Sequence, residues 1–150
     1  RLISATGVRI TELVTFRVED AAAGEKDIYS KGNKMRRVYI PTRLKDSLLE
    51  WTGREKRQSG PLFLSRFGTP LTAGGIRVQL KSFAHCYGLN EEVMYPHSFR
   101  HRFAKNFIEK CGDIALLSDL LGHDSIETTR IYLRRSSTEQ AAIVNRIVKW

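Results

Sequence analysis

Glycines divide this chain into a series of helical segments. Gly88, Gly112 and Gly122 each follow a run in which apolar residues recur at helical spacing. Glycine is common just past a helix end because it adopts the left-handed backbone conformation without strain. Other residues indicate where the helices start. Together the two signals predict helices over 10–16, 42–58, 72–87, 96–110 and 114–121.

One pair of short β-prone runs interrupts the helices. Residues 27–30 and 36–40 flank Lys31-Gly32-Asn33-Lys34, in which glycine and asparagine accept the positive φ of a tight turn. The sequence therefore predicts a hairpin with Lys31 at its edge. The fold class that follows is mainly α with a small antiparallel β-sheet (α+β).

Length and charge limit the number of domains and the kind of partner. The 150 residues, 41% of them apolar, suffice for one domain with a core of its own. Lys and Arg number 25 against 16 Asp and Glu, a net charge of +9. Because no basic amphipathic anchor is present, this charge favours a nucleic acid over a membrane as the partner.

Cysteines and hydropathy indicate the compartment. Cys86 and Cys111 have no zinc-like spacing, so they are interpreted as reduced core thiols of a cytoplasmic protein. No signal peptide is apparent, and no apolar run approaches the roughly 20 residues that span a bilayer. The expected location is the bacterial cytoplasm, and a DNA partner would place the protein at the nucleoid.

Six polar residues in five separate motifs form a set that can cleave a phosphodiester. Arginine is a planar cation that bridges two phosphate oxygens, lysine is a titratable charge, histidine works near neutral pH and tyrosine offers an oxygen nucleophile. The set needs no metal. Its members, in chain order, are Arg9, Lys31, His97, Arg100, His123 and Tyr132.

At these motifs the chain resembles the catalytic domain of the tyrosine recombinases, the phage integrase family. The family pattern is an A-T-G-[LV]-R box, a G-K-G-N-K hairpin, an H-x-L-R-H helix, an L-G-H turn and a T-x-x-Y helix. All five occur here in order, from about Leu2 to the helix that carries Tyr132. Ser30 replaces a glycine and Phe99 a leucine, and neither change removes a reactive group.

The resemblance implies a site-specific DNA recombinase that works without cofactor, metal or ATP. Tyr132 would form a 3′-phosphotyrosyl link and free a 5′-hydroxyl. The family acts as a tetramer on two duplexes, whereas a monomer is the expectation for the isolated domain. The resemblance also implies that residues 1–150 are the catalytic domain, and that an N-terminal DNA-clasping domain precedes it in the parent protein.

The expected roles follow from side-chain chemistry. Arg9 and Arg100 hold the scissile phosphate, and Lys31 protonates the leaving 5′-oxygen. Either His97 or His123 takes the phenol proton or binds a nonbridging oxygen, and the sequence leaves both assignments open. More general phosphate contacts are expected at Lys34, Arg36, Arg77, Lys81, Arg134 and Arg135.

The last part of the chain is predicted to form two helices. The pairs Asp124/Glu127 and Ser136/Glu139 have capping-box spacing, so Tyr132 is expected near the end of the first of these helices. The second helix carries an apolar stripe that either this domain or a neighbouring subunit covers. The stripe consists of Ile143, Val144, Ile147 and Val148.

Alternative roles remain open for individual residues. Tyr132 alone could be a half-buried helix aromatic, and Arg9 could simply pair with Glu12 or Glu19. His97 and His101 could bind a metal, although His101 is interpreted as structural, and Lys31 and Lys34 could be solvated turn charges. For the whole chain, the alternatives are a non-catalytic DNA-binding module of the same fold and a type IB topoisomerase-like enzyme.

Overall fold

A computed structural model describes residues 1–29, 34–133 and 137–147. The described chain is mostly helical, with one two-stranded sheet, which confirms the predicted fold class. A 3₁₀ turn spans Ile131–Leu133. The helices and strands are α1 (Leu2–Thr6), α2 (Ile10–Leu13), α3 (Val18–Ala23), β1 (Glu25–Tyr29), β2 (Met35–Tyr39), α4 (Thr42–Arg54), α5 (Ala73–Cys86), α6 (Pro96–Cys111), α7 (Ile114–Leu121), α8 (Glu127–Arg130) and α9 (Ser137–Ile147).

The two strands form the antiparallel hairpin that the sequence predicted. Glu25 pairs with Tyr39 and Tyr29 pairs with Met35 at the two ends of the register. Ile28 and Val38 point into the core and are buried, whereas their neighbours along each strand are partly or fully exposed. The hairpin is thus a one-sided sheet whose inner face packs on helices. Its turn, including Lys31, lies outside the described residues.

Helices α5, α6 and α7 lie close to their predicted bounds, whereas the region before the hairpin differs. Helix α2 ends at Leu13 rather than at residue 16, because Phe16 is fully buried and its carbonyl accepts the N–H of Leu62. Helix α3 was missed. Its start is capped by Asp20, whose carboxylate accepts the backbone N–H of Arg17 at 2.8 Å.

Three further expectations differ from the structure. Helix α4 ends at Arg54 instead of residue 58, and Lys56 beyond it has a positive φ of 52°. Asp124 does not cap α8, since Ser125 Oγ accepts the N–H of Glu127 while Asp124 pairs with Lys34. Cys86 and Cys111 are free but exposed, so the assignment to the core was wrong. The Ser136/Glu139 pair falls outside the described residues.

Two buried clusters meet at the centre of the domain. The first unites the hairpin with α1 to α4 and includes Val8, Phe16 and Leu62, all fully buried. The second joins α6, α7 and the 3₁₀ turn, and Leu117 and Tyr132 belong to it. Each large apolar side chain buried in this way stabilises the fold by about 1.5–3 kcal/mol. The clusters are linked by α1, which packs along α6.

Helix α9 carries the predicted apolar stripe. Ile143 is partly buried, while Val144 and Ile147 are 57% and 69% exposed. Val148 lies outside the described residues. The described part of the stripe therefore faces mainly solvent in the single chain.

In the described chain no helix has both the length and the apolar character needed to cross a membrane.

Candidate active site

The site is organised around the backbone of two helix ends, Gly7 after α1 and the turn of Leu121 and Gly122 after α7. Both glycines adopt left-handed conformations, with φ of 67° and 62°. A Cβ on Gly7 would lie 2.5 Å from the ring of Phe103, and one on Gly122 would lie 2.7 Å from Arg36 Cδ. Only glycine therefore permits both the turns and the close packing of these helix ends.

Arg100 connects the two helix ends from the buried face of α6. Its guanidinium donates to Gly7 O and, at 2.8 Å, to Leu121 O, and it lies 3.0 Å from His123 Nε2. The side chain is 3% exposed. Burial, with the charge of Arg9 as the next contribution, lowers the pKa of Arg100 to about 10, so it stays a cation at neutral pH.

Arg9 reaches the same turn from the start of α2. It donates to Gly122 O at 3.1 Å and to Glu12 Oε1 at 3.0 Å. The pairing with Glu12, foreseen as an alternative role, therefore exists alongside the contact to the site. Arg9 remains 42% exposed, so solvent reaches it far more readily than it reaches the buried Arg100.

Glu12 is shared by two arginines. Its carboxylate accepts two bonds from Arg36, at 2.9 and 2.7 Å, besides those from the side chain and backbone of Arg9. Burial would raise the pKa of Glu12, but the bonds from Arg36 and Arg9 outweigh it and lower the pKa overall. Arg36 also donates to Leu120 O at 3.1 Å and is only 10% exposed, so it supports the turn after α7 from within.

His123 lies between Arg100 and α8. Its Nδ1 is 2.7 Å from Thr129 Oγ1, and Thr129 is fully buried. Burial and then the charges of Arg100 and Arg9 lower the pKa of His123 to about 4, which keeps the imidazole neutral at pH 7. His123 is therefore a neutral hydrogen-bonding group in this site.

Tyr132 follows α8 in the 3₁₀ turn, near a helix end as predicted. It is 9% exposed and packs in the second cluster, so its ring is more deeply buried than the half-buried aromatic considered as an alternative. Burial raises the pKa of Tyr132, and the nearby charge of Arg100 partly opposes this effect. The ring of His101 meets it edge-on, with centroids 4.9 Å apart. The phenol is thus protonated and held within the field of Arg100.

A pocket of about 270 Å³ opens beside the two arginines. His97 is exposed at the first turn of α6 and shares this pocket with Arg9 and Arg100. Arg77 of α5 contributes a third guanidinium to the wall. Three cations and an imidazole around one pocket make it suited to a phosphate group. The complete lining is Val8, Arg9, Ile10, Arg77, Tyr95, Pro96, His97 and Arg100.

The remaining predicted residues are distributed as follows. Lys81 is exposed on α5, and Lys34 is exposed beside the hairpin turn, where it pairs with Asp124 at 3.1 Å. Lys31, Arg134 and Arg135 lie outside the described residues. The structure therefore gathers five of the six proposed catalytic residues in one region: Arg9, His97, Arg100, His123 and Tyr132.

Sequence reasoning missed two polar residues of this region. Thr129 occurred only as the first residue of the T-x-x-Y motif, although its position three residues before Tyr132 indicates that both side chains face inward. Glu12 was considered only as a partner of Arg9. Its second partner, Arg36, is 24 residues away, and no local spacing pattern reveals such a contact.

In the ranges that the structure describes, no group of three or more His, Cys, Asp or Glu side chains could hold a metal ion. The cations of the site are instead side chains. Guanidinium groups stabilise negative charge on phosphate oxygens by direct, charge-assisted hydrogen bonds.

Comparisons of the sequence with protein families and with individual proteins agree with each other. The phage integrase family matches residues 1–139. Tyrosine recombinase XerC of Xylella fastidiosa is 35% identical over 136 aligned residues, which cover 87% of this chain and 45% of that protein. The chain spans about half the length of such relatives.

Solved structures share the fold. The crystal structure of XerA recombinase matches with a TM-score of 0.79 at 24% identity, over 99% of this chain and 55% of that one. XerH site-specific recombinase, in a pre-cleavage complex bound to difH substrate, matches with a TM-score of 0.72 at 28% identity, over 98% of this chain and 45% of that one.

Proposed function

Because this chain belongs to the phage integrase family, we propose that it carries the catalytic domain of a site-specific DNA recombinase. The observation that supports this most is the meeting of Arg9 and Arg100 at the turn after α7, next to His123 and in the field that reaches Tyr132. These groups come from four separate parts of the chain, and a DNA-binding surface alone would not need to bury one of its arginines.

In the proposed first step, Tyr132 Oη attacks the phosphorus of one DNA strand. The new bond joins the phenol oxygen to phosphorus, and the bond between phosphorus and the 5′-oxygen breaks. The phenol proton passes to a base, and the leaving 5′-oxygen receives a proton from Lys31. A 5′-hydroxyl of the partner strand later reverses these steps, so the exchange of one phosphodiester for another requires no ATP.

Ionisation of the phenol is the main barrier that the site must lower. With an ordinary pKa of about 10, a tyrosine is roughly 4 kcal/mol from its phenolate at pH 7. Burial raises the pKa of Tyr132 further. The two arginines compensate by neutralising charge on the nonbridging oxygens, an effect typically worth about 10²–10³ in rate for each well-placed donor. The phenol therefore reacts only when a phosphate occupies the clamp.

We assign different tasks to the two histidines. His123 lies 3.0 Å from the guanidinium of Arg100, so we place it on a nonbridging oxygen of the bound phosphate. His97 sits one helical turn before His101, whose ring touches Tyr132. We assign acceptance of the phenol proton to His97, because it is exposed and lines the pocket formed by Arg9 and Arg100.

Double-stranded DNA is the proposed substrate. Arg77 in the pocket wall and the exposed Lys81 and Lys34 are the proposed contacts with DNA phosphates. We include Arg134 and Arg135 among these phosphate contacts on the basis of sequence alone. Arg36, which is bonded to Glu12, acts instead by holding Arg9 in place.

The same proposal includes assembly and location. A tetramer on two duplexes would cover the exposed apolar side chains of α9, Val144 and Ile147, with a neighbouring subunit. A bacterial relative, XerC of Xylella fastidiosa, supports a bacterial host, and a recombinase acts at the nucleoid.

A nicked suicide duplex tests the proposal. The protein first selects a bound site from random-sequence duplex DNA, and that site is then prepared with a nick that lets the cleaved end diffuse away. We expect a covalent protein–DNA adduct with the wild type and none with Tyr132→Phe, which should still bind the duplex. Tyr87→Phe, at an exposed tyrosine after α5, is the matched control and should form adduct normally. Binding without adduct in the wild type would contradict the proposal.

A further inference from the structure

The hydrogen bonds around His123 identify which ring nitrogen carries the proton. Arg100 can only donate, so His123 Nε2, 3.0 Å away, must accept and bear no proton. The proton of the neutral ring is therefore on Nδ1, which donates to Thr129 Oγ1 at 2.7 Å. The pKa of about 4 for His123, set mainly by burial, agrees with a neutral ring.

This tautomer does not suit the role proposed for His123 in the reaction. A phosphate oxygen is an acceptor, and an unprotonated Nε2 facing it would be repelled. His123 can bind the phosphate only if Nε2 carries the proton. In this change the ring loses the proton on Nδ1 and gains one on Nε2, so its charge stays zero; His123 is only partly buried, and solvent water takes up the first proton and supplies the second. The need for this change arises when Arg100 turns its guanidinium from His123 to the phosphate.

The hydrogen bond between Thr129 and His123 can persist in both tautomers because the side chain of Thr129 carries a hydroxyl. A hydroxyl both donates and accepts, so Thr129 Oγ1 accepts from Nδ1–H in one tautomer and donates to the bare Nδ1 in the other. A carbonyl or carboxylate at the same position could only accept, and would fix the tautomer seen without DNA. Thr129 is fully buried, so water does not replace its hydroxyl.

We propose that Thr129 is a positioning residue whose hydroxyl lets His123 pass from the Nδ1–H tautomer, held by Arg100, to the Nε2–H tautomer, which binds the scissile phosphate. The inference rests on the proposed recombinase function. Thr129 also lies in α8, directly before the 3₁₀ turn with Tyr132. The same hydrogen bond therefore links the phosphate-binding imidazole to the segment that carries the nucleophile.

Two substitutions separate the hydroxyl from the shape of the side chain. Thr129→Ser keeps the hydroxyl, and Thr129→Val keeps the shape and removes it. Thr52→Val is the matched control, because Thr52 is 2% exposed and its hydroxyl donates to the carbonyls of Leu48 and Leu49 within α4. We expect Thr129→Val to form adduct on the nicked duplex about 10²-fold more slowly, as for a lost transition-state donor. Thr129→Ser and Thr52→Val should stay within about threefold of the wild type, and DNA affinity should change little in all three.

The tautomer itself can be read by NMR. Protonated and bare ring nitrogens have well-separated ¹⁵N shifts, and His123→Gln assigns the signals of ¹⁵N-histidine-labelled protein. Without DNA, His123 should show a protonated Nδ1. In the non-covalent complex of Tyr132→Phe with the selected duplex, it should show a protonated Nε2, and the double variant with Thr129→Ser should behave in the same way.

The outcomes separate this inference from the proposed function. A His123 that keeps its proton on Nδ1 in the complex, or a Thr129→Val protein that forms adduct at the wild-type rate, overturns the inference alone. A loss in Thr129→Ser as large as the loss in Thr129→Val would show that retaining the hydroxyl does not preserve the rate, and would also overturn it. If the wild type forms no adduct, the proposed function fails and the inference fails with it.

Discussion

Replacing Glu12 by glutamine tests whether one carboxylate holds the arginines of the site in place. Glu12 accepts four hydrogen bonds, from Arg9 N at 2.7 Å, Arg9 Nη1 at 3.0 Å, and Arg36 Nη1 and Nη2 at 2.9 and 2.7 Å. The side chains of Glu12 and Arg36 are 12% and 10% exposed. Glutamine keeps the volume but loses the charge and turns an NH₂ group toward donors.

The expected loss follows mainly from Arg36. Removing one partner of a buried ion pair costs about 3–5 kcal/mol, whereas the more exposed contact with Arg9 contributes at most about 1 kcal/mol. We take the lower end, about 3 kcal/mol, because both groups retain some contact with solvent. For a domain of this size each kcal/mol shifts Tm by about 2–4 °C, so Glu12→Gln should melt about 6–12 °C below the wild type.

The effect should depend on pH in a defined direction. The pKa of Glu12 lies below its ordinary value of 4.5 in the folded protein. A carboxylate with a depressed pKa contributes stability that is present above the ordinary value and is lost as the pH falls through the folded value. The difference in Tm between wild type and variant should therefore be full at pH 7 and should narrow as the pH falls below about 4.5.

Thermal unfolding followed by circular dichroism at pH 7, 5 and 4 measures both effects. Glu50→Gln is the matched control, because Glu50 pairs with Arg54 on the surface of α4, where the two side chains are 66% and 72% exposed. It should change Tm by no more than about 2 °C. A Glu12→Gln protein as stable as this control, or a difference that widens in acid, would refute the reasoning.

Two further substitutions probe the centre of the site. Gly7→Ala places a Cβ 2.5 Å from Phe103 at a φ of 67°, so strain and crowding should lower the free energy of unfolding by about 2–5 kcal/mol, as measured by thermal unfolding. Gly112→Ala is the control: with a φ of 74° and no atom within 4 Å, it should lose only the backbone strain of about 1–2 kcal/mol. Equal losses of stability in the two variants would exclude the clash with Phe103. Arg100→Lys replaces three fixed contacts by one point donor, so single-turnover adduct formation should fall at least about 10²-fold. Arg102→Lys on the exposed face of α6 should leave that rate within about twofold, and similar rates for the two variants would remove Arg100 from the clamp.

The sequence was most informative where a local signal coincides with a structural boundary. Gly112 and Gly122 end α6 and α7 as predicted, because a left-handed residue after a helix is a property of a few neighbouring residues. Helix α3 was missed because six residues carry too little apolar periodicity to be recognised. The exposure of Cys86 and Cys111 also lay beyond local reasoning, since it depends on what packs against each helix face.

The sequence by itself determined which polar residues are candidates for the reactive groups, their order, and most of the helices that carry them, because motif spacing and helix ends are local. Only the tertiary structure decided that Arg100 is buried on two carbonyls, that Arg36 belongs to Glu12, and that Thr129 bonds His123. These contacts join residues that are 6 to 93 positions apart along the chain. They exist because α1 packs on α6, and α7 packs on both α6 and β2. Packing between distant segments, rather than any local pattern, brings their polar groups within bonding distance.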